Sequence, residues 1–176
     1  MASVALYIAL ILVTGGERIG ELVISTRHAR ASLARGGVEF GRREMPWMIA
    51  LHTGLLLACI AEVVAADRPF IPALGWPALV VALACQVGRY WCVRSLGSAW
   101  NTRVIVVPGD ARVAARGPYR WMPHPNYWFV AVEGLALPLV HTAWVTAIVF
   151  TVLNAVLLLG FRIPVENKAL KLLAAT

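Results

Sequence analysis

The chain has 176 residues, 60% of them hydrophobic and 14% charged, with a mean hydropathy of +0.72. A soluble domain is about 45–50% apolar and about 25% charged, so these numbers exclude an ordinary soluble fold, and with it a disordered, collagen-like or disulfide-stapled one. The net charge is still +7, from 16 Lys and Arg against 9 Asp and Glu; in so apolar a chain it is read as a membrane-topology signal and not as a nucleic-acid footprint.

About 20 apolar residues cross a bilayer core of about 30 Å at about 1.5 Å per residue. The first span begins near Ser3, runs through YIALILVTGG and meets Glu17, Arg18 and Glu21 near its end. No basic residue precedes this run and no convincing cleavage site follows it, which argues against a signal peptide. Glu17 and Glu21 share a face with Arg18 between them, and Gly16 and Gly20 form a GxxxG. That pattern reads as close helix packing with ion pairing to cytoplasmic arginines. The second span follows Pro46, a favourable first helical position, and ends at Ala66 before Asp67–Arg68–Pro69. The third runs from about Leu74 to about Leu96. From Trp128 to Phe161 the only charge is Glu133, and a single helix of that length, about 51 Å, is too long for one crossing. Pro138 and the pair His141–Thr142 mark a reversal, giving a fourth helix at about 125–140 and a fifth at about 143–165. Cys59, Cys85 and Cys92 all fall in apolar spans without metal-ligand spacing, so free thiols and no metal site are expected.

The charges partition across these spans. Fifteen of the sixteen positive residues fall on one side and only Arg68 on the other. The positive-inside rule makes the crowded side cytoplasmic. The expected fold is an all-α polytopic membrane protein with five transmembrane helices, the N-terminus outside and the C-terminus cytoplasmic, in the plasma membrane of a bacterium. Residues 1–176 are expected to form one domain: three helices in 1–96, then a cytoplasmic segment and a helical hairpin in 97–176. Glu62 and His141 lie toward the outer face, with no role assigned.

The stretch GSAWNTRVIVVPGDARVAARGPYRWMPHPNY, residues 97–127, carries the most information. VIVV and ARVA flank a PGD turn, which predicts a short β-hairpin or lid at about 103–123. Pro125 suits the first turn of the fourth helix, with His124 at its cap. A helix start offers unpaired N–H groups to an anion, and Arg120 adds a fork donor. Tyr119, Trp121 and Tyr127 add aromatic faces for a flat base or a cation. An anionic end, an aromatic ring and a positive centre are all present in S-adenosylmethionine. The bland alternative is a basic interfacial loop resting on lipid headgroups.

Ionisable groups inside apolar spans are functional candidates by default. Glu133 lies about 12 Å into the fourth helix and His52 about 9 Å into the second. Glu133 reads either as a paired structural carboxyl or as a substrate-facing base; a phenol or enol acceptor needs such a base, a carboxylate does not. His52 is a proton relay or an interhelical hydrogen bond. Gln86 and Arg89 share a face of the third helix and either pair with Glu133, hold the substrate head, or satisfy each other.

GPYR, HPNY, the helical hairpin and the following Arg162-Ile163-x-x-Glu166 together resemble the isoprenylcysteine carboxyl methyltransferase family over about residues 97–170. The remaining chain, with ERIGELVISTRHA, ARGGVEFG and EGLALPLVH, resembles a bacterial branch that accompanies type III polyketide synthases and methylates alkylresorcinols or alkylpyrones. The resemblance implies a membrane enzyme using S-adenosylmethionine, with Tyr119, Arg120, His124, Pro125, Tyr127, Arg162 and Glu166 in the cofactor pocket. Arg162 and Glu166 join Glu133 and His52 as candidate catalytic groups, and Gln86, Arg89 and Glu133 form the candidate acceptor site. Two positions depart from the family pattern: Pro123 stands before His124 where Arg is usual, and Asn167 follows Glu166 where a second Glu is usual. The expected acceptor is a phenolic or enolic hydroxyl on a membrane lipid, with a type III polyketide synthase as pathway neighbour. The rivals are an isoprenylcysteine-type carboxylate, phospholipid N-methylation, and a small carrier or scaffold.

Overall fold

The computed structural model describes residues 2–108 and 116–174. These form helices α1 (Ala2–Ala34), α2 (Met45–Ala65), α3 (Pro72–Leu96), α4 (Pro125–Leu139), α5 (Trp144–Leu157) and α6 (Ile163–Ala174), with strands β1 (Val38–Phe40) and β2 (Val104–Val106). Short 3-10 turns occupy Gly97–Ala99 and Gly117–Arg120.

Helix α1 departs most from expectation. It does not stop near Glu17 but continues for 33 residues, about 50 Å at the standard rise. No proline interrupts the polar run that follows, and Arg18 and Glu21 find partners on other helices. The helix ends at Gly36, whose φ of +82° suits glycine, and the Gly37 N–H returns to Ser32 O at 3.0 Å. Gly16 and Gly20 do not seat a neighbouring helix: no atom lies within 4 Å of either Cβ position. Close approach occurs elsewhere. A Cβ on Gly88 of α3 would overlap the Phe129 ring of α4, and one on Gly134 of α4 would overlap the Phe150 ring of α5.

Among the described residues, four stretches are long and apolar enough to cross a membrane, against the five expected: Ala2–Ala34, Met45–Ala65, Pro72–Ala99 and Trp144–Lys171. Helix α4 has 15 residues, about 22 Å, which falls short of a bilayer core. It is an inner helix, with Val130, Glu133, Gly134, Ala136, Leu137 and Pro138 buried. The chain reverses at 140–143, as the sequence suggests. Thr142 adopts a left-handed φ of +53° there, and its hydroxyl donates to Pro69 O at 2.7 Å. Glu62 has a role that the sequence did not suggest. Its carboxylate accepts the N–H groups of Val145 (3.2 Å) and Thr146 (2.7 Å) and the Thr146 hydroxyl (2.7 Å), and Arg68 pairs with it at 2.9 Å. An acidic side chain from α2 thus satisfies the open N–H groups at the start of α5. The apolar core includes Tyr7, Ile11, Cys59, Val63, Leu137 and Phe150, and the Tyr7 hydroxyl donates to Leu137 O at 3.1 Å.

The VIVV half of the predicted hairpin forms a strand whose described partner lies elsewhere. β2 pairs antiparallel with β1, in the register Val38↔Val106, Glu39↔Ile105, Phe40↔Val104. ARVA lies outside the described residues, as does Asp110 of the turn. Arg103 grips Glu39 through both Nε and Nη2, tying the connection after α1 to the one after α3. The expected fifth helix is three pieces: α5, a π turn at Leu158–Arg162, and α6. Pro164 explains the wide turn. It has no N–H to give and its ring would crowd the Gly160 carbonyl in a regular α-helix.

The Gly88 contact holds α3 against α4. Gly88→Ala is expected to cost about 1–3 kcal/mol by overpacking against Phe129, measured as a lower Tm in detergent or nanodiscs. An unchanged Tm would show that the ring can move aside.

Candidate active site

A cavity of about 650 Å³ is bounded by α1, α2, the 99–106 segment and the ends of α3, α4 and α6. Its wall has three parts. Ile11, Leu12, Ile19, Ile49 and Leu56 make an apolar side from α1 and α2. Arg18, Glu21, His52 and Arg89 make a polar inner part. Tyr119, His124, Asn126, Tyr127, Arg162 and Glu166 gather at the third.

The third part is built by local backbone. His124 precedes a proline, which disfavours the right-handed helical region, and it caps α4 with φ +53° and ψ +45°. This turns its ring onto Tyr127, centroid to centroid 5.5 Å and 13° from parallel. The π turn aims Arg162 the same way: its Nε donates to the Tyr127 hydroxyl at 2.9 Å and its Nη2 donates to Thr102 O. The Tyr127 hydroxyl donates to Glu166 Oε2. Glu166 Oε1 lies 3.4 Å from His124 Nδ1, and Asn167 Oδ1 lies 3.0 Å from His124 Nε2. Acceptors at both ring nitrogens favour the imidazolium, and Glu166 is the main reason that His124 titrates above its ordinary value of 6.5. Burial, with Cys92 beside it, holds the Tyr119 hydroxyl above its usual range.

The second part is an ion network from three helices. Arg18 Nη1 donates to Glu21 at 3.0 Å and Arg89 Nη2 donates to the same oxygen at 2.6 Å. Arg18 Nη2 also donates to Gln86 Oε1. Glu133 lies 3.6 Å from each arginine, its Oε1 facing Arg18 and its Oε2 facing Arg89. On the wall of α2, His52 Nδ1 meets Met48 O at 2.8 Å, which leaves Nε2 as the acceptor of a neutral ring.

Of the residues singled out from sequence, Tyr119, His124, Tyr127, Arg162, Glu166, Arg89 and His52 line this one cavity. Arg120 does not: its guanidinium lies over the Trp121 ring, 5.4 Å from the centroid. Pro125 is buried as the first residue of α4, and Gln86 and Glu133 stand outside the lining, behind the arginines. Arg18, Glu21, Asn101 and Asn126 line it and were not chosen. The signal for the first two was available: an Arg and a Glu one turn apart inside an apolar helix need partners, and Gln86, Arg89 and Glu133 were among the polar residues of the other spans.

The model of the isoprenylcysteine carboxyl methyltransferase family matches residues 78–172, from within α3 to α6. The chain belongs to this family. It is therefore an S-adenosylmethionine-dependent methyltransferase. The methyltransferase is 39% identical to the uncharacterized protein YpbQ of Bacillus subtilis (strain 168) over 167 residues, which is 94% of this chain and 95% of that one. It is 26% identical to an uncharacterized protein of Haemophilus influenzae over 156 residues, 87% of this chain and 88% of that one. No solved structure matches.

The residues present fit S-adenosylmethionine. Asn101 Oδ1 is fixed by the Arg103 N–H at 2.9 Å, so its Nδ2 is a donor, and that atom has no partner. Asn126 Oδ1 is an acceptor without a partner. Both residues line the cavity, and a donor and an acceptor of this kind complement the edge of an adenine. Arg162, His124 and Glu166 supply groups of both signs for an amino-acid end.

Because the His124 pKa is raised on folding, its pairing stabilises the site fully below the ordinary imidazole value and loses that contribution as pH rises through the raised one. Glu166→Gln is expected to bring the His124 midpoint down toward 6.5, read by NMR titration of labelled histidine. A midpoint unmoved by this change would mean that Glu166 does not hold the proton.

Proposed function

We propose that the methyltransferase acts on an oxygen of a lipidic acceptor whose tail stays in the bilayer, with the cofactor entering from the cytoplasm. The supporting observation is that a single cavity joins the motif residues Tyr119, His124, Tyr127, Arg162 and Glu166 to an apolar wall of α1 and α2. S-adenosylmethionine, when bound, supplies a methyl group made electrophilic by its sulfonium. The chain supplies proximity, orientation and a site apart from water. His124 faces the cofactor's carboxylate, Glu166 its ammonium, and Tyr119 and Tyr127 its adenosine or sulfonium. Arg162 acts as a positioning residue that holds Tyr127 and the Thr102 carbonyl together.

The family description favours an isoprenylcysteine-type carboxylate as acceptor. The second reading is a phenolic or enolic hydroxyl of an alkylresorcinol or alkylpyrone, with a type III polyketide synthase as pathway neighbour. His52 favours that reading: its unoccupied ring nitrogen belongs to a residue on the cavity wall, and only a hydroxyl acceptor has a proton to give it. Glu133 suits the base role less, because it stands behind Arg18 and Arg89.

Membranes containing the protein, incubated with labelled S-adenosylmethionine and either a farnesylcysteine analogue or an alkylresorcinol, separate the two acceptors. Label in the farnesylcysteine ester supports the first reading and label in the resorcinol ether the second; label in phospholipid alone would overturn both. If a hydroxyl is the acceptor, His52→Gln lowers transfer by about 10²-fold or more. His124→Ala is expected to weaken S-adenosylmethionine binding in calorimetry. Undiminished affinity in the folded variant would remove His124 from the pocket.

A further inference from the structure

We infer that Arg18 and Arg89 are the receptor for an acidic acceptor head, and that methylation itself ends this attraction and releases the product. The inference rests on the lipid O-methylation reading and names what that site selects: an oxyanion on an apolar tail, and not a neutral alcohol or an amine.

The first argument is depth. Arg89 lies seven residues before the end of α3, about 10 Å, and Glu133 nine residues past His124, about 13 Å. Charges at such depth in an apolar bundle are costly and mark sites. The second is direction. Arg18, Arg89 and Glu21 line the cavity, whereas Glu133 and Gln86 stand behind them. Counting only the groups that line the cavity, this cluster presents +1, from two arginines and one glutamate; Glu133, and Glu17 at 4.0 Å from Arg18, stand outside the lining. The third is unused donors. Two guanidiniums carry ten N–H groups. Three make hydrogen bonds among the described residues: two to Glu21 and one to Gln86. Glu133, at 3.6 Å, attracts both cations without taking a hydrogen bond from either. Arg89 is only 6% exposed, and its Nε faces Glu133 Oε2 at 3.6 Å without a hydrogen bond, which leaves its Nη1 side for a ligand. Buried donors are normally satisfied, and a purely structural network would be expected to close. A carboxylate or a ring oxyanion completes this one.

The chemistry then follows with atoms and charges balanced. The acceptor oxygen's electron pair forms the new O–CH3 bond as the S–CH3 bond breaks, and the sulfur keeps that bond's electrons. The oxyanion and the sulfonium are both neutralised. The ester or ether that results no longer has the charge that Arg18 and Arg89 hold, so product and acceptor differ most in the one feature this cluster reads. The same +1 disfavours an ammonium group as the acceptor.

The test compares matched pairs bound to the protein in nanodiscs: a farnesylcysteine analogue against its methyl ester, and an alkylated hydroxypyrone against its methyl ether. In at least one pair the acidic form is expected to bind tighter by about tenfold or more. In Arg89→Gln that preference falls several-fold. Because removing one partner of a buried pair destabilises a fold, the charge-balanced double variant Arg89→Gln/Glu133→Gln is measured beside it, with S-adenosylmethionine affinity retained as the sign of a folded site. Equal binding of acid and neutral form in both pairs would overturn the inference, as would a full acid preference in the folded double variant. An acid preference lost on substitution, in a protein that transfers no methyl group to either acid, would instead support the receptor and overturn the methylation reading.

Discussion

A guanidinium placed inside an apolar bundle cannot shed its proton to escape the cost of burial, so it must be answered by partners. Arg18 and Arg89 impose that condition on α1 and α3, and the answers come from Glu21 on α1, Gln86 on α3 and Glu133 on α4. Each answer restricts a helix. Glu133 reaches both arginines only if α4 presents that face to α3, and Gly88 lets it come close enough by leaving room for Phe129. Arg18 and Glu21 meet Gln86 and Arg89 only if α1 stays helical past the point where its apolar run ends. The length of α1, the depth of α4 and the rotation of α3 are thus consequences of one ion network.

The opposite part of the cavity is organised by a second polar chain, running from Thr102 O through Arg162, Tyr127 and Glu166 to His124. It draws on a loop, a π turn and two helix ends, and no one of these elements would hold its residue in place alone. The β1–β2 ribbon and the Arg103–Glu39 pair fix the loop against the chain after α1. Ser25 of α1 joins the same loop through the Thr102 N–H at 2.9 Å. The two networks share a wall, so motion of α1 would disturb both.

The motif region was legible because its chemistry is local. His124 before Pro125 announces a cap, Pro138 with His141–Thr142 announces a reversal, and the spacing from Arg162 to Glu166 places both on one helical face. What escaped depends on partners far along the chain. The end of α1 was misjudged because charge in an apolar helix looks like an exit from the membrane, whereas here it is buried against charge on α3 and α4. The pairing of β2 with residues 38–40 was not foreseen because a β run finds such a partner by tertiary placement, far along the chain. Glu62 looked idle because a cap supplied across helices, from α2 to α5, leaves no local signature. Helix α4 was placed by the length of the apolar run and the reversal signal at Pro138, but its shortness was not legible, since an inner helix shielded by its neighbours is equally apolar and need not be as long.

The two departures from the family pattern can be weighed in the same terms. Asn167 still accepts from His124 Nε2 through Oδ1, so the ring keeps a partner at each nitrogen. What the amide withholds is charge. Arg162, an imidazolium at His124 and Glu166 sum to +1, where a second carboxylate at 167 would bring the cluster to neutrality. Pro123 acts in the opposite sense, since it stands where the pattern has an arginine and so removes a cation from the same end. The two changes offset in charge while leaving the hydrogen bonds of His124 intact, which is the combination expected if the cluster must keep a fixed balance toward a ligand carrying both signs.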